Sequence, residues 1–254
     1  MTVFEPRVAV ASLSGESDGD WAARAAPHVG CAFLGGVAID GPTREAAREL
    51  VARGREEFLP ADPVAFVDAQ LASLESTDVV PGVNVRSRTL DPISEVGAVC
   101  AAHGALLEIN AHCRQDEMCA AGAGEMLLRA PARLCEQVET AAATGAPVSV
   151  KVRTEVGGVE LPSLASRLVA AGADVLHVDA MDSEPVVGDV VSAAPGAFVV
   201  ANNGVRGRAT AREYLALGAD AVSVGRPSDD PAVLRAARRA VWEWFETREA
   251  APDA

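Results

Sequence analysis

Residues 147–181 read PVSVKVRTEVGGVELPSLASRLVAAGADVLHVDAM. Two β-branched runs, PVSVKVR (147–153) and VLHVDAM (175–181), flank the Ala- and Leu-rich stretch LPSLASRLVAAG, which closes on Gly172 just before the second run. A glycine at that point is the expected C-cap, so the segment reads as strand, helix and parallel strand. The same unit recurs outward in both directions. Further strand candidates are RVAVASLS (7–14), CAFLGGVAI (31–39), VVPGVNVRS (79–87), ALLEINA (105–111), AFVVANNG (197–204) and AVSVGRP (221–227). Helical patterns such as PTREAARELVARG, PARLCEQVETAAATG and TAREYLALG lie between them. Eight strand–helix units in 254 residues predict an α/β fold, a (β/α)8 TIM barrel, in one domain spanning 1–254. An open doubly wound sheet is the runner-up, and the lack of GxGxxG after the first strand counts against it.

Two segments exceed the basic pattern. PVAFVDAQLASLES (63–76) predicts an extra helix, and an amphipathic helix over 228–250 closes the chain. Trp242 and Phe245 are three apart in that helix and share a face, for packing against the barrel or a second copy in a homo-oligomer. The terminal APDA is expected to fray.

Composition narrows the function classes. With 49% hydrophobic residues and 22 Gly the chain is neither disordered nor collagen-like. No apolar run reaches the ~18 residues of a membrane span. The first residues lack a basic segment followed by an apolar one, so a cytoplasmic protein is expected. Net charge is −14, and Lys151 is the sole lysine among 22 basic residues. Such an acidic, nearly lysine-free surface suits a high-salt, halophilic cytosol, with a high-GC genome as the alternative. It gives no support for avid nucleic-acid binding. Five Cys (31, 100, 113, 119 and 135) without a CxxC pair predict neither a disulfide framework nor a structural zinc site, and no metal is expected.

In a barrel of this kind chemistry sits at the C-terminal ends of the strands. Alternation along PVSVKVR turns Val148, Val150 and Val152 to the helices, and Ser149, Lys151 and Arg153 to the lumen. A lumenal lysine is desolvated unless paired, with Glu108 the candidate partner. Glu108 and Asn110 face inward from ALLEINA, which runs into the polar loop HCRQDEM. Cys113 then stands at the rim between His112 and Arg114, whose charge favours a reactive thiol. Cys119 and Cys135 read as structural. His177 and Asp179 share a face, as a lumenal hydrogen-bonded pair or as site residues. NNGVRGR and GRP end the last two strands, where this fold commonly cradles a phosphate; Asn203, Gly204, Gly225 and Arg226 fit that role.

From about residue 80 to 227 these motifs resemble the dihydrouridine synthase family of FMN-dependent TIM barrels. The family's Asn-x-Gly-Cys-Pro aligns with Asn110–Arg114, followed by GAGEMLL. Its Pro-Val-x-Val-Lys-x-Arg stands at 147–153, its Asn-Gly-Asp-Ile at 203–206, and its Gly-Ala-Asp…Gly-Arg in GADAVSVGRP. INAHCRQ is most similar to a divergent archaeal branch. The resemblance implies bound FMN, with Lys151 near the flavin N1/O2 edge, where a cation stabilises the reduced ring. It implies Asn84 at the ring, Ser12 and Leu13 beneath it, and Asn203, Gly204, Gly225 and Arg226 on its phosphate. Cys113 matches the family's general acid, and Asn110 precedes it in the motif. In the family's reaction hydride passes to one carbon of a uracil C5=C6 bond, the thiol protonates the other, and NAD(P)H re-reduces the flavin.

Departures are equally specific. His112 and Arg114 replace the motif's Gly and Pro, at positions that would meet substrate. Asp179 stands where the family has a flavin-contacting His, and a carboxylate there opposes an anionic flavin unless His177 pairs with it; both residues are expected at the cofactor. The helical tRNA-binding domain is not matched. The resemblance therefore implies reduction of uridine in tRNA, with a free pyrimidine or other small heterocycle, as in dihydroorotate dehydrogenases, as the alternative. A flavin-free phosphate barrel using Lys151 as a Schiff-base amine and a flavin-binding protein without turnover are further readings.

Overall fold

Strand and helix alternate along the chain because β-branched runs are punctuated by Gly, Pro and Asp at the turns. The computed structural model describes residues 2–249. The strands are β1 (Val8–Val10), β2 (Cys31–Ala38), β3 (Val80–Arg86), β4 (Leu106–Asn110), β5 (Val148–Arg153), β6 (Val175–Asp179), β7 (Phe198–Asn202) and β8 (Ala221–Val224). The helices are α1 (Gly19–Ala25), α2 (Gly41–Ala52), α3 (Pro63–Ala72), α4 (Asp91–Ala102), α5 (Asp116–Ala120), α6 (Pro131–Ala142), α7 (Leu161–Ala170), α8 (Val186–Ala193), α9 (Arg208–Ala216) and α10 (Pro231–Glu249). All strands pair in parallel with their sequence neighbours, and β8 returns to β1 to close the barrel. The chain is a (β/α)8 TIM barrel.

Several strands end short of the sequence expectation, β1 and β7 among them. β1 stops at Val10, because the chain then turns so that the Ser17 hydroxyl bonds both the N–H and the carbonyl of Leu13. β7 stops at Asn202, because Asn203 (φ 83°) and Gly204 (φ 66°) are left-handed and cannot continue a strand. The extra helix α3 is present but ends at Ala72. The closing helix begins at Pro231; its expected last residue, 250, and the APDA tail lie outside the described residues. Trp244 and Phe245 pack on the core, whereas Trp242 is 61% exposed. Among the described residues no helix is long and apolar enough to cross a membrane.

Alternation sorts the barrel into two layers. Val148, Val150 and Val152 are buried outward in one apolar cluster with Leu134, Leu164 and Leu168 of α6 and α7. Burying each such side chain contributes about 1.5–3 kcal/mol, so this outer layer carries much of the stability. The lumen is graded. Phe4, Phe33, Leu106, Val175 and Phe198 plug its lower end, with Phe4 edge-on to Phe198 at 5.1 Å. Gly82 has no room for a side chain there, since a Cβ would lie 2.5 Å from the Phe33 ring. Two residues further along each strand the inward positions turn polar, as in Leu106–Glu108–Asn110, Val175–His177–Asp179 and Ala221–Ser223–Gly225. The period-two rule thus stacks an apolar floor, a polar middle layer and an open mouth.

Candidate functional site

The middle layer is a closed hydrogen-bond network. Glu108 is fully buried; its Oε1 accepts from Asn84 Nδ2 at 2.7 Å, and its Oε2 from Ser149 Oγ at 3.0 Å and His177 at 2.7 Å. Burial works to raise the Glu108 pKa, but His177, Lys151 and Asn84 outweigh it and hold it below the usual carboxylate value. Burial, reinforced by Lys151, lowers the His177 pKa despite Glu108. A neutral imidazole then donates from Nδ1 to Glu108 and accepts at Nε2 from the Ser223 hydroxyl, 2.7 Å away, which itself accepts from Asn202 Nδ2 at 2.7 Å.

From Glu108 the network climbs to the mouth. Asn110 Nδ2 donates to Asn84 Oδ1 at 2.8 Å. Asn110 Oδ1 accepts from the Cys113 backbone N–H at 3.0 Å and the His112 N–H at 3.3 Å. Asn110 therefore fixes the loop that carries Cys113. Gly124 pins the loop from the other side. It is left-handed (φ 62°), a Cβ there would lie 2.2 Å from the Cys113 carbonyl oxygen, and the following Glu125 N–H donates to that oxygen at 2.8 Å.

A cavity of about 400 Å³ opens above this network, within the usual range of small-molecule sites. It brings together Ser12, Leu13, Asn110, His112, Cys113 and Arg114 on one side. Lys151, Asp179, Asn203, Gly204, Gly225 and Arg226 line the other. Asn84 and His177, expected at a bound ring, do not line it; their side chains are used one layer below. Glu108, the candidate partner of Lys151, is filled instead by neutral donors from three other strands. The expected His177–Asp179 pair does not form either: residues two apart on a strand face the same way but sit about 6–7 Å apart along it. Asp179 instead meets His112, with Nδ1 and Oδ2 3.8 Å apart. Burial, then Lys151 and Arg86, push the His112 pKa well below its ordinary value.

Lys151 is 2% exposed and lies at the cavity wall, its ammonium without a hydrogen bond or ion pair among the described residues. Burial lowers its pKa, opposed by Glu108 and Asp179. Cys113 is 8% exposed and also lines the cavity. Cys31 and Cys100 are buried in the core, and burial pushes Cys100 up to about 12. Cys119 is pushed up to about 11, first by burial and then by Glu125. These thiols are inert by that measure. Among the described residues no cluster could hold a metal ion.

Inspection of the sequence overlooked Arg86, Arg55 and the acids that hold the rim. Arg86 ends β3 inward, where Asn84–Arg86 alternation would have placed it; it pairs with Glu57 at 2.5 Å and also bonds Ser14. Arg153 pairs with Glu125 at 2.8 Å. Non-glycine residues with positive φ follow β5, β6 and β7 at Glu155, Met181 and Asn203. Such backbone strain gathers at functional rims.

The donor set fits FMN. The N–H groups of Asn203, Gly204 and Gly225 donate to no group among the described residues, and a Cβ on either glycine would meet nothing within 4 Å. The Arg226 guanidinium beside them has no hydrogen bond or ion pair among the described residues. Free N–H groups with an arginine suit a phosphate, and an unpaired buried ammonium suits the electron-rich edge of a flavin.

Residues 96–252 match the dihydrouridine synthase (Dus) family. An uncharacterized protein of Methanocaldococcus jannaschii is 26% identical over 236 residues, which cover 88% of this chain and 89% of that protein. Among solved structures, DHODH from Eimeria tenella in complex with ferulenol superposes with a TM-score of 0.72 at 15% identity, covering 96% of this chain and 82% of that one.

Proposed function

The chain belongs to the dihydrouridine synthase family of flavin-dependent oxidoreductases, and from that premise we propose that it binds FMN and reduces the C5=C6 bond of a uracil-type ring, most simply uridine in tRNA. Bound FMN supplies the two-electron reduction of an activated C=C bond. The observation that carries the reading is Lys151, the chain's one lysine, buried at the cavity wall without a hydrogen bond or ion pair to its side chain among the described residues. There it would hold negative charge on the cofactor. Asn203, Gly204, Gly225 and Arg226 would grip the phosphate, and Ser12 and Leu13 would lie under the ring. Cys113 would give its proton to the ring carbon, and general-acid help of this kind contributes about 10²–10⁴-fold. Asn110 positions that thiol through two backbone N–H groups. NAD(P)H would be the external reductant.

The first test is the absorption spectrum of the purified protein. A yellow protein, or one that takes up FMN stoichiometrically, supports the reading; a colourless protein that takes up none removes it. Dihydrouridine content of tRNA after gene deletion then tests the tRNA substrate, with an unchanged level leaving a free pyrimidine or other small heterocycle.

A further inference from the structure

Positive charge gathers at the cavity of this acidic chain. Seven of its 22 basic residues line the cavity: Lys151 and Arg55, Arg86, Arg114, Arg153, Arg206 and Arg226. Asp179 is the single acid lining it. Arg86 and Arg153 are neutralised by Glu57 and Glu125. The guanidinium groups of Arg55, Arg114, Arg206 and Arg226 have no hydrogen bond or ion pair among the described residues.

These four fall into two sets by the loops that carry them. Arg206 and Arg226 follow β7 and β8, beside the free N–H groups of the phosphate cradle. Arg114 follows β4, which a closed eight-strand order places across the barrel from β8. Arg55 lies on the loop between α2 and α3, which packs on Gly15 after β1 and is tied to the end of β3 through Glu57 and Arg86. One cofactor phosphate accounts for the first set only.

The second set is held in place. Arg53 donates to Gln115 at 2.7 Å and pairs with Glu117 at 2.7 Å, tying the Arg55 loop to the Arg114 loop. Four residues on, Glu57 of the same loop is anchored by Arg86. Arg86 itself is buried, lines the cavity and leaves its Nε without a partner. Arg55 thus stands between two ion-paired anchors, facing the same cavity as Arg114 and Cys113. Clustering unpaired guanidiniums costs stability through mutual repulsion, and an anion relieves it with charge-assisted, bidentate bonds.

We infer that the substrate is a small ring compound bearing its own carboxylate or phosphate, bound by Arg55 and Arg114 on the Cys113 side of the cavity. The inference rests on the proposed flavin reading and, within it, favours a small heterocycle over uridine in tRNA. Basic charge drawn into a pocket of this size suits a compact anion; a tRNA backbone would call for it to be spread over the outer surface.

The test uses FMN-loaded protein at fixed ionic strength and two matched pairs of probes, uracil against uracil-6-carboxylate and uridine against uridine 5′-monophosphate. Binding is read by calorimetry and by the change in flavin absorbance, with unmodified tRNA as a fifth probe. The expected result is that an anionic member of at least one pair binds tenfold or more tightly than its neutral partner. In the Arg55→Gln/Arg114→Gln double variant that preference falls to within about twofold. FMN content of the same samples reports folding and tests the flavin reading separately. Holoprotein that shows no tenfold preference in either pair, that keeps the preference in the double variant, or that binds tRNA alone overturns the inference and leaves the flavin reading standing. Protein that takes up no FMN overturns both.

Discussion

Replacing Lys151 by Met should move stability and cofactor binding in opposite directions. The side chain is 2% exposed, has no hydrogen bond or ion pair among the described residues, and loses little length or volume in the change. In the cofactor-free protein its charge is desolvated and only partly offset by the more distant Glu108 and Asp179. Exchanging poorly compensated buried charge for an apolar side chain is commonly stabilising by about 1–4 kcal/mol. Glu108 keeps its three hydrogen-bond donors in the variant, so a net gain near the lower end, about 1–2 kcal/mol, is expected. The loaded protein loses a charge-assisted contact worth about 1.5–3 kcal/mol, so FMN affinity should fall roughly 10- to 150-fold. The pH dependence separates this from generic packing. Lys151 has a lowered pKa when folded, so the folded state binds fewer protons than the unfolded chain between that value and 10.5. Wild-type stability should therefore rise with pH across that window, and this increment should vanish in Lys151→Met. Chemical denaturation of apoprotein across pH, with FMN fluorescence titration, measures all three quantities. A destabilised apo variant with unchanged FMN affinity would refute the reasoning.

Cys113→Ala should leave FMN content intact and slow turnover about 10²–10⁴-fold under steady-state assay; a fully active variant removes the acid assignment. Glu108→Gln keeps the shape but weakens bonds from Asn84, Ser149 and His177, and should cost about 2–4 kcal/mol in urea denaturation. Glu108 has a lowered folded pKa, so its contribution is present above the unfolded value near 4.5 and lost as pH falls through the folded one; the Gln variant should lack that acid-side loss. Gly124→Ala should displace the Cys113 loop, because its Cβ would sit 2.2 Å from the Cys113 carbonyl oxygen at a left-handed φ. Lower activity with normal FMN binding is the expected pattern, and unaltered activity shows that the loop position is not needed.

What the sequence by itself determined was everything governed by local period and composition. Eight alternating runs separated by helical stretches specify the closed barrel, and a two-residue period decides that Lys151, Glu108 and Asn110 face inward. The motif spacing placed Cys113, Asn203, Gly204, Gly225 and Arg226 at one end of the strands, where the structure gathers them around one cavity. Tertiary structure alone decided who pairs with whom. Alternation gives a residue's face but not its height across strands, which depends on barrel register. Hence Glu108 meets His177, Ser149 and Asn84 rather than Lys151, and Asp179 meets His112 rather than its strand neighbour. Arg55 and Glu57 lay beyond reach for a second reason. They sit in a loop without periodicity, and only packing of that loop over the mouth, through Arg53 and Arg86, brings its charges to the site.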